Sequence, residues 1–118
     1  MVLVDTSVWI EHFRRNSPAL RSLLEGAEVY CHPFVIGELA CGNLKNRDEI
    51  LSLLASLDKT TPVEDYEALE FVESNQLYGC GLGWIDIHLL SSALITGVKI
   101  WTLDRRLRQM AKRFDIAY

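Results

Sequence analysis

Val2-Leu3-Val4-Asp5-Thr6-Ser7-Val8-Trp9 is the stretch that decides the fold class. Three apolar residues stopped by an acid read as a short strand covered on both faces. Thr6 and Ser7 then offer capping hydroxyls for a helix through Val8, Trp9, Glu11 and Phe13. The alternation continues down the chain. Ser17-Pro18 caps and opens a second helix that Gly26 closes, and Glu28-Val29-Tyr30-Cys31 reads as a second strand. Pro33 opens an apolar helix that Gly42 ends. Further helices are expected over Asn46 to Leu57, and over Val63 to Tyr78 with Gly79 as the stop. Trp84 to Thr96 is a strongly apolar helix, Lys99-Ile100-Trp101-Thr102 a third strand, and Asp104 opens a last helix to Phe114. Ile116-Ala117-Tyr118 is a candidate fourth strand. Short apolar strands alternating with helices predict an α/β domain with a mainly parallel sheet.

The chain has 118 residues, which predicts a single domain over residues 1–118. Its 49% hydrophobic and 24% charged residues exclude a disordered polyelectrolyte. No apolar run reaches the length of a membrane span, and the first residues lack the basic lead of a secretory signal. A cytoplasmic protein is expected. Cys31, Cys41 and Cys80 show no Cys-x-x-Cys spacing, so buried free thiols are expected rather than disulfides or a thiolate zinc site. The net charge is −4, yet residues 99–118 hold six bases and two acids. An acidic body with a basic tail segment needs an explanation.

Four acids stand where water should be scarce. Asp5 follows the first strand directly, at the kind of carboxyl end where parallel sheets gather their ligands. The plain alternative is a helix cap. Glu38 is the only charge in PFVIGELACG, and its helical neighbours are Phe34, Val35, Cys41 and Gly42. A helix apolar all round is expected to be buried, and an unpaired carboxylate there costs several kcal/mol. Asp86 repeats the pattern in WIDIHLLSSAL, between Ile85 and Ile87, although an acid in a first turn also suits the helix dipole. His88, two residues on, reads as a packing group. Asp104 lies just past the third strand and is also a natural N-cap. Ser7 and Thr102 place hydroxyls beside these acids as supporting donors. Each cap reading is plausible singly; four such placements together are not what capping alone predicts.

Other chemistries fit less well. There is no Gly-x-Ser-x-Gly elbow and no Gly-x-x-x-x-Gly-Lys phosphate loop. Gly79-Cys80-Gly81-Leu82-Gly83 follows a helix rather than the first strand, so it reads as a helix stop and bend. A haloacid-dehalogenase phosphatase would need Asp-x-Asp where this chain has Asp5-Thr6-Ser7.

VLVDTSVW, Glu38 in its apolar helix, GWIDIHLLSSAL and Trp101-Thr102-Leu103-Asp104 resemble the PIN domain in order and spacing. The size and the start of the chain look like the VapC toxins of toxin–antitoxin pairs. The resemblance implies a three-layer α/β/α sandwich and a metal-dependent endoribonuclease, a toxin that inhibits translation by cutting a structured RNA such as tRNA or rRNA. Carried over by motif, the acidic quartet falls on Asp5, Glu38, Asp86 and Asp104, and Thr102 resembles the hydroxyl residue found near the last acid. A VapB-type antitoxin and a homodimer, or a toxin–antitoxin hetero-oligomer, are the implied partners.

The chemistry agrees with this carry-over. Four carboxylates in one pocket raise each other's pKa and call for a cation. All-oxygen ligation suits Mg²⁺, with Mn²⁺ as a substitute. Such an ion would neutralise the acids, acidify a bound water and stabilise charge on the phosphate, giving in-line hydrolysis to a 5′-phosphate and a 3′-hydroxyl. In the tail, Leu107, Met110, Ala111 and Phe114 form one helical stripe, which leaves the bases exposed. Lys112 and Arg113 suit a helix C-terminus, but Arg105 and Arg106 sit at the unfavourable positive end. Together with Arg108 they are expected to meet RNA phosphates or an acidic antitoxin, and Arg14 and Arg15 add to the same field. Two competing readings are a catalytically weak PIN scaffold that binds RNA or protein, and a structure-specific DNA nuclease of related fold. The four acids argue against the first, and the short chain leaves no room for the helical arches of the second.

Overall fold

A computed structural model describes residues 1–118. The elements in chain order are β1 (Val2–Val4), α1 (Thr6–Arg15), α2 (Pro18–Glu25), β2 (Val29–Cys31), α3 (Pro33–Ala40), α4 (Arg47–Ser56), β3 (Asp58–Lys59), α5 (Asp65–Asn75), α6 (Trp84–Thr96), β4 (Lys99–Trp101) and α7 (Arg105–Arg113). The strands form one parallel sheet in the order β3-β2-β1-β4. The chain is an α/β sandwich, as its alternating pattern predicts.

β1 lies inside the sheet, which explains why it is apolar at every position and buried at every position. Its register sets Val4 opposite Trp101 and Leu3 opposite both Tyr30 and Ile100. The carboxyl ends of β1 and β4 are therefore level, and the Asp5 N–H continues the ladder to the Trp101 carbonyl at 2.9 Å. The core around this sheet includes Leu3, Trp9, Leu20, Leu54, Leu89, Leu90 and Leu107, all without exposed surface. α6 is buried without interruption from Ile87 to Ala93. α7 buries Leu107 and Ala111 and leaves its arginines outside, as its stripe predicts.

Five expectations need correction. The fourth strand is Asp58–Lys59, and the Ile116-Ala117-Tyr118 segment makes only one bridge, Ala117 to Ile100. β3 is held from outside the ladder. The Lys59 ammonium donates to the Leu54 and Ala55 carbonyls at 3.0 Å each, neutralising the end of α4. α5 begins at Asp65 and ends at Asn75, because Gln76 takes the left-handed conformation (φ 55°) three residues ahead of Gly79. α3 stops at Ala40 rather than running on to Gly42. It is not buried all round: it buries Val35 and Leu39, while Phe34, Gly37, Glu38 and Cys41 face outward. Only Cys31 of the three free thiols is buried; Cys41 lies on that open face of α3 and Cys80 in the loop before α6. His88 is a packing group, ringed edge-on by Trp84 and Phe34, each with its centroid 4.8 Å away. No helix is long and apolar enough to cross a membrane.

Candidate functional site

β1 and β4 run parallel and end level, so the residues just beyond them face each other across a groove. Asp5 follows β1 and is buried, and Thr102 follows β4 and is buried too. Asp5 occupies the cap position of α1, but its side chain caps nothing. One oxygen, Oδ2, instead accepts from the Thr102 hydroxyl at 2.6 Å and from the Ser7 hydroxyl at 2.8 Å. Those hydroxyls are oriented in turn. Ser7 Oγ accepts the Leu103 N–H and Thr102 Oγ1 accepts the Asp104 N–H, both at 3.0 Å. An ionised carboxylate only accepts, so both hydroxyls point their protons at Asp5.

The other three acids join this groove from different elements. Glu38 comes from α3, where Thr6 of α1 donates to its Oε1 at 2.7 Å. Asp86 comes from the first turn of α6, where its Oδ2 accepts the Gly83 N–H at 3.0 Å. Asp104 caps α7 through Oδ1, which accepts the Leu107 N–H at 2.9 Å. All four line one open cleft of about 600 Å³, with Thr6 and Ser7 between them. The capping reading of Asp104 is thus correct and compatible with a place in the cleft. Glu38 reaches the cleft from an exposed face rather than from a buried helix.

Each carboxylate follows one rule. One oxygen is tied by a protein donor, and the other accepts no hydrogen bond from the protein. No lysine or arginine lies within ion-pair reach of any of the four; Arg15 pairs with Glu11, and His88 Nε2 lies 3.2 Å from Asp65. The strain of this arrangement shows at Asp86. Its pKa is raised, first by burial and then by the charges of Asp5, Asp104 and Glu38, against the pull of the Gly83 N–H. Four acids without a counter-charge, each with a spare oxygen, offer the all-oxygen chemistry that hard divalent cations favour. No three of them stand close enough to clasp one ion directly.

Sequence reasoning did not find two supports of the site: the Thr6 hydroxyl under Glu38 and the Gly83 N–H under Asp86. The first carried a signal, since Thr6 directly follows Asp5. The second is a backbone group and leaves no mark on residue type. Arg105, Arg106 and Arg108 are exposed along α7, beside Asp104 but outside the cleft lining.

Comparison with known proteins agrees with this architecture. A family model described as PIN domain matches residues 2–113. The protein called ribonuclease VapC32, from Mycobacterium tuberculosis, is 47% identical over 118 residues, covering 99% of this chain and 95% of that one. Among solved structures, PAE2754 from Pyrobaculum aerophilum superposes with a TM-score of 0.69 at 16% identity, over 99% of this chain and 87% of that one. At that identity the likeness speaks for the fold alone.

Proposed function

The chain belongs to the PIN-domain family, and from that premise we propose that it is a VapC-type toxin, a single PIN domain that hydrolyses RNA phosphodiesters at the four-acid cleft. The observation that carries this reading is the set of four half-tied carboxylates with no protein cation among them. Asp5, Glu38, Asp86 and Asp104 would hold Mg²⁺, or Mn²⁺ in its place. When bound, the ion supplies positive charge against the phosphate and acidifies a water for in-line attack. The protein's own part is preorganisation. Ser7 and Thr102 fix the Asp5 carboxylate, Thr6 fixes Glu38 and Gly83 fixes Asp86, so that little rearrangement remains when substrate arrives. Burial and the charges of Asp5, Asp104 and Glu38 raise the Asp86 pKa, and a bound cation would offset those charges.

The basic flank of α7 explains how an acidic protein receives a polyanion. Arg105, Arg106 and Arg108 offer contacts to RNA phosphates beside Asp104. The structured RNA to be cut is a tRNA or rRNA, met in the cytoplasm, and a VapB-type antitoxin is the expected inhibitor. The open apolar face of Phe34, Gly37, Cys41, Trp84 and Ile85 is the surface a homodimer would cover. The deciding experiment is RNA cleavage by the purified protein in Mg²⁺ or Mn²⁺, with EDTA and the Asp5→Asn variant as controls. Cleavage lost in EDTA and in the variant is expected. Undiminished cleavage in chelator would overturn the metal-dependent reading.

A further inference from the structure

The loop before α6 contains two glycines with positive φ, Gly79 at +71° and Gly81 at +79°. They differ in what surrounds them. A Cβ on Gly79 would meet nothing within 4 Å. A Cβ on Gly81 would land on the side chain of Arg106, 2.7 Å from both Cδ and Cζ and closer still to Nη1. Gly79 therefore serves the backbone turn alone, whereas Gly81 also leaves the room that an arginine from another element occupies.

Arg106 has no other visible employment. It makes no hydrogen bond and no ion pair within the protein, while Arg15 pairs with Glu11, Arg47 donates to the Ala40 and Gly42 carbonyls and Arg113 donates to Asn75. It stands in the first turn of α7, where the helix dipole disfavours a cation. Its neighbours tie it to the cleft. Asp104 lies two residues before it, and Gly83, whose N–H holds Asp86, lies two residues beyond Gly81. Yet its guanidinium neutralises none of the four acids. A planar cation seated on a glycine, with all five donors spare, is preorganised for an anion from outside.

We propose that Gly81 and Arg106 form a built phosphate-docking unit at the rim of the acid cleft, in which the glycine seats the guanidinium and α7 presents it to the RNA backbone. The proposal rests on the ribonuclease reading and singles out one arginine of three. Arg105 and Arg108 share its helix but have no such seat.

The test is a two-by-two set of variants: wild type, Gly81→Ala, Arg106→Ala and the double. Binding of a fluorescein-labelled RNA hairpin is titrated against salt in Ca²⁺, with each variant's fold checked by circular dichroism. Arg106→Ala should lower the log–log salt slope by about 0.7 to 0.9, the value of one phosphate contact. Gly81→Ala should produce a similar loss by unseating the arginine, and the double variant should lose no more than Arg106→Ala. Parallel slopes for wild type and Arg106→Ala would overturn the proposal, and weakened inhibition by a protein partner alongside them would assign Arg106 to that partner. A Gly81→Ala loss of the same size in both backgrounds would overturn the seating role. If Gly81→Ala fails to fold, the Arg106→Ala slope still decides the phosphate contact. Wild-type cleavage in Mg²⁺ or Mn²⁺ is measured alongside. Its absence would count against the ribonuclease reading, whereas cleavage with parallel slopes removes the docking unit alone.

Discussion

Both edge strands of the sheet end in a buried threonine, and the two threonines do opposite things. Thr60 follows β3 on one edge, and Thr102 follows β4 on the other. The Thr60 hydroxyl lies 2.9 Å from that of Ser92, which donates to the Thr61 carbonyl, while Thr96 takes the Thr61 N–H at 2.8 Å. That network is neutral and closes on itself, locking α6 against the sheet edge. Thr102 donates to a carboxylate whose second oxygen accepts nothing from the protein. The second network is left open on the side facing the cleft. A closed neutral network adds stability, and an open charged one holds a charge ready for use at the expense of self-repulsion.

Substitutions should separate the two edges. The largest effect is expected from Asp5→Asn, which keeps the shape and removes one charge. Initial rates of RNA cleavage in Mg²⁺ should fall by about 10²-fold or more, exceeding the ~10–100-fold loss typical of outer support around a metal. Thermal melts in EDTA should show equal or higher stability, because repulsion with Asp86 is relieved. A folded Asp5→Asn protein with wild-type rates would erase the contrast.

Thr102→Val sits between the extremes. It removes the hydroxyl that joins the Asp104 N–H to Asp5, and a loss of about 10 to 100-fold in rate is expected. A stability loss of about 1–3 kcal/mol should accompany it, read by urea unfolding, because buried partners are left unpaired. Ser92→Ala on the other edge should show only the second effect, again about 1–3 kcal/mol. Its rate per folded molecule should match wild type, and a lowered rate would show that the closed network also serves the site.

The last contrast is in the dependence of stability on pH below neutrality. His32 is buried, its Nδ1 accepts the Phe34 N–H, and its pKa is lowered to about 4, mainly by burial. A histidine kept neutral in the folded state contributes stability above its unfolded value of 6.5, and that contribution drains away as pH falls towards 4. Asp86 runs the other way. Its raised pKa means that the metal-free protein gains stability as acid protonates it. Denaturation against pH in EDTA should therefore flatten towards acid in His32→Asn, and lose the opposing gain in Asp86→Asn. Unchanged profiles in both would mean that neither group shapes the response.

Legibility in the sequence followed the physics of each signal. β1 was readable because a strand inside a parallel sheet is apolar at every position. β3 was not, because Asp58 and Lys59 form a two-residue edge strand held by the Lys59 side chain. The four acids could be named by motif, but the reasoning for Glu38 failed at burial: apolar neighbours on a helix do not prove that anything covers them, and Phe34 and Cys41 are exposed. The Ser92–Thr60 network was illegible, since a serine in an apolar helix signals a partner without saying which. The Gly81–Arg106 contact was illegible for a related reason. The glycine's turn is local information, while the guanidinium above it comes from 25 residues further along the chain.

The parallel register of β1 against β4 also has a consequence in time. Asp5 is among the first residues made, yet its hydroxyl donor Thr102 lies 97 residues later. A ribosome delivers Asp5 long before β4, and the groove between their ends has only one wall until residues 99–104 emerge. The Asp5 carboxylate therefore gains its Thr102 donor only after nearly the whole chain has been made.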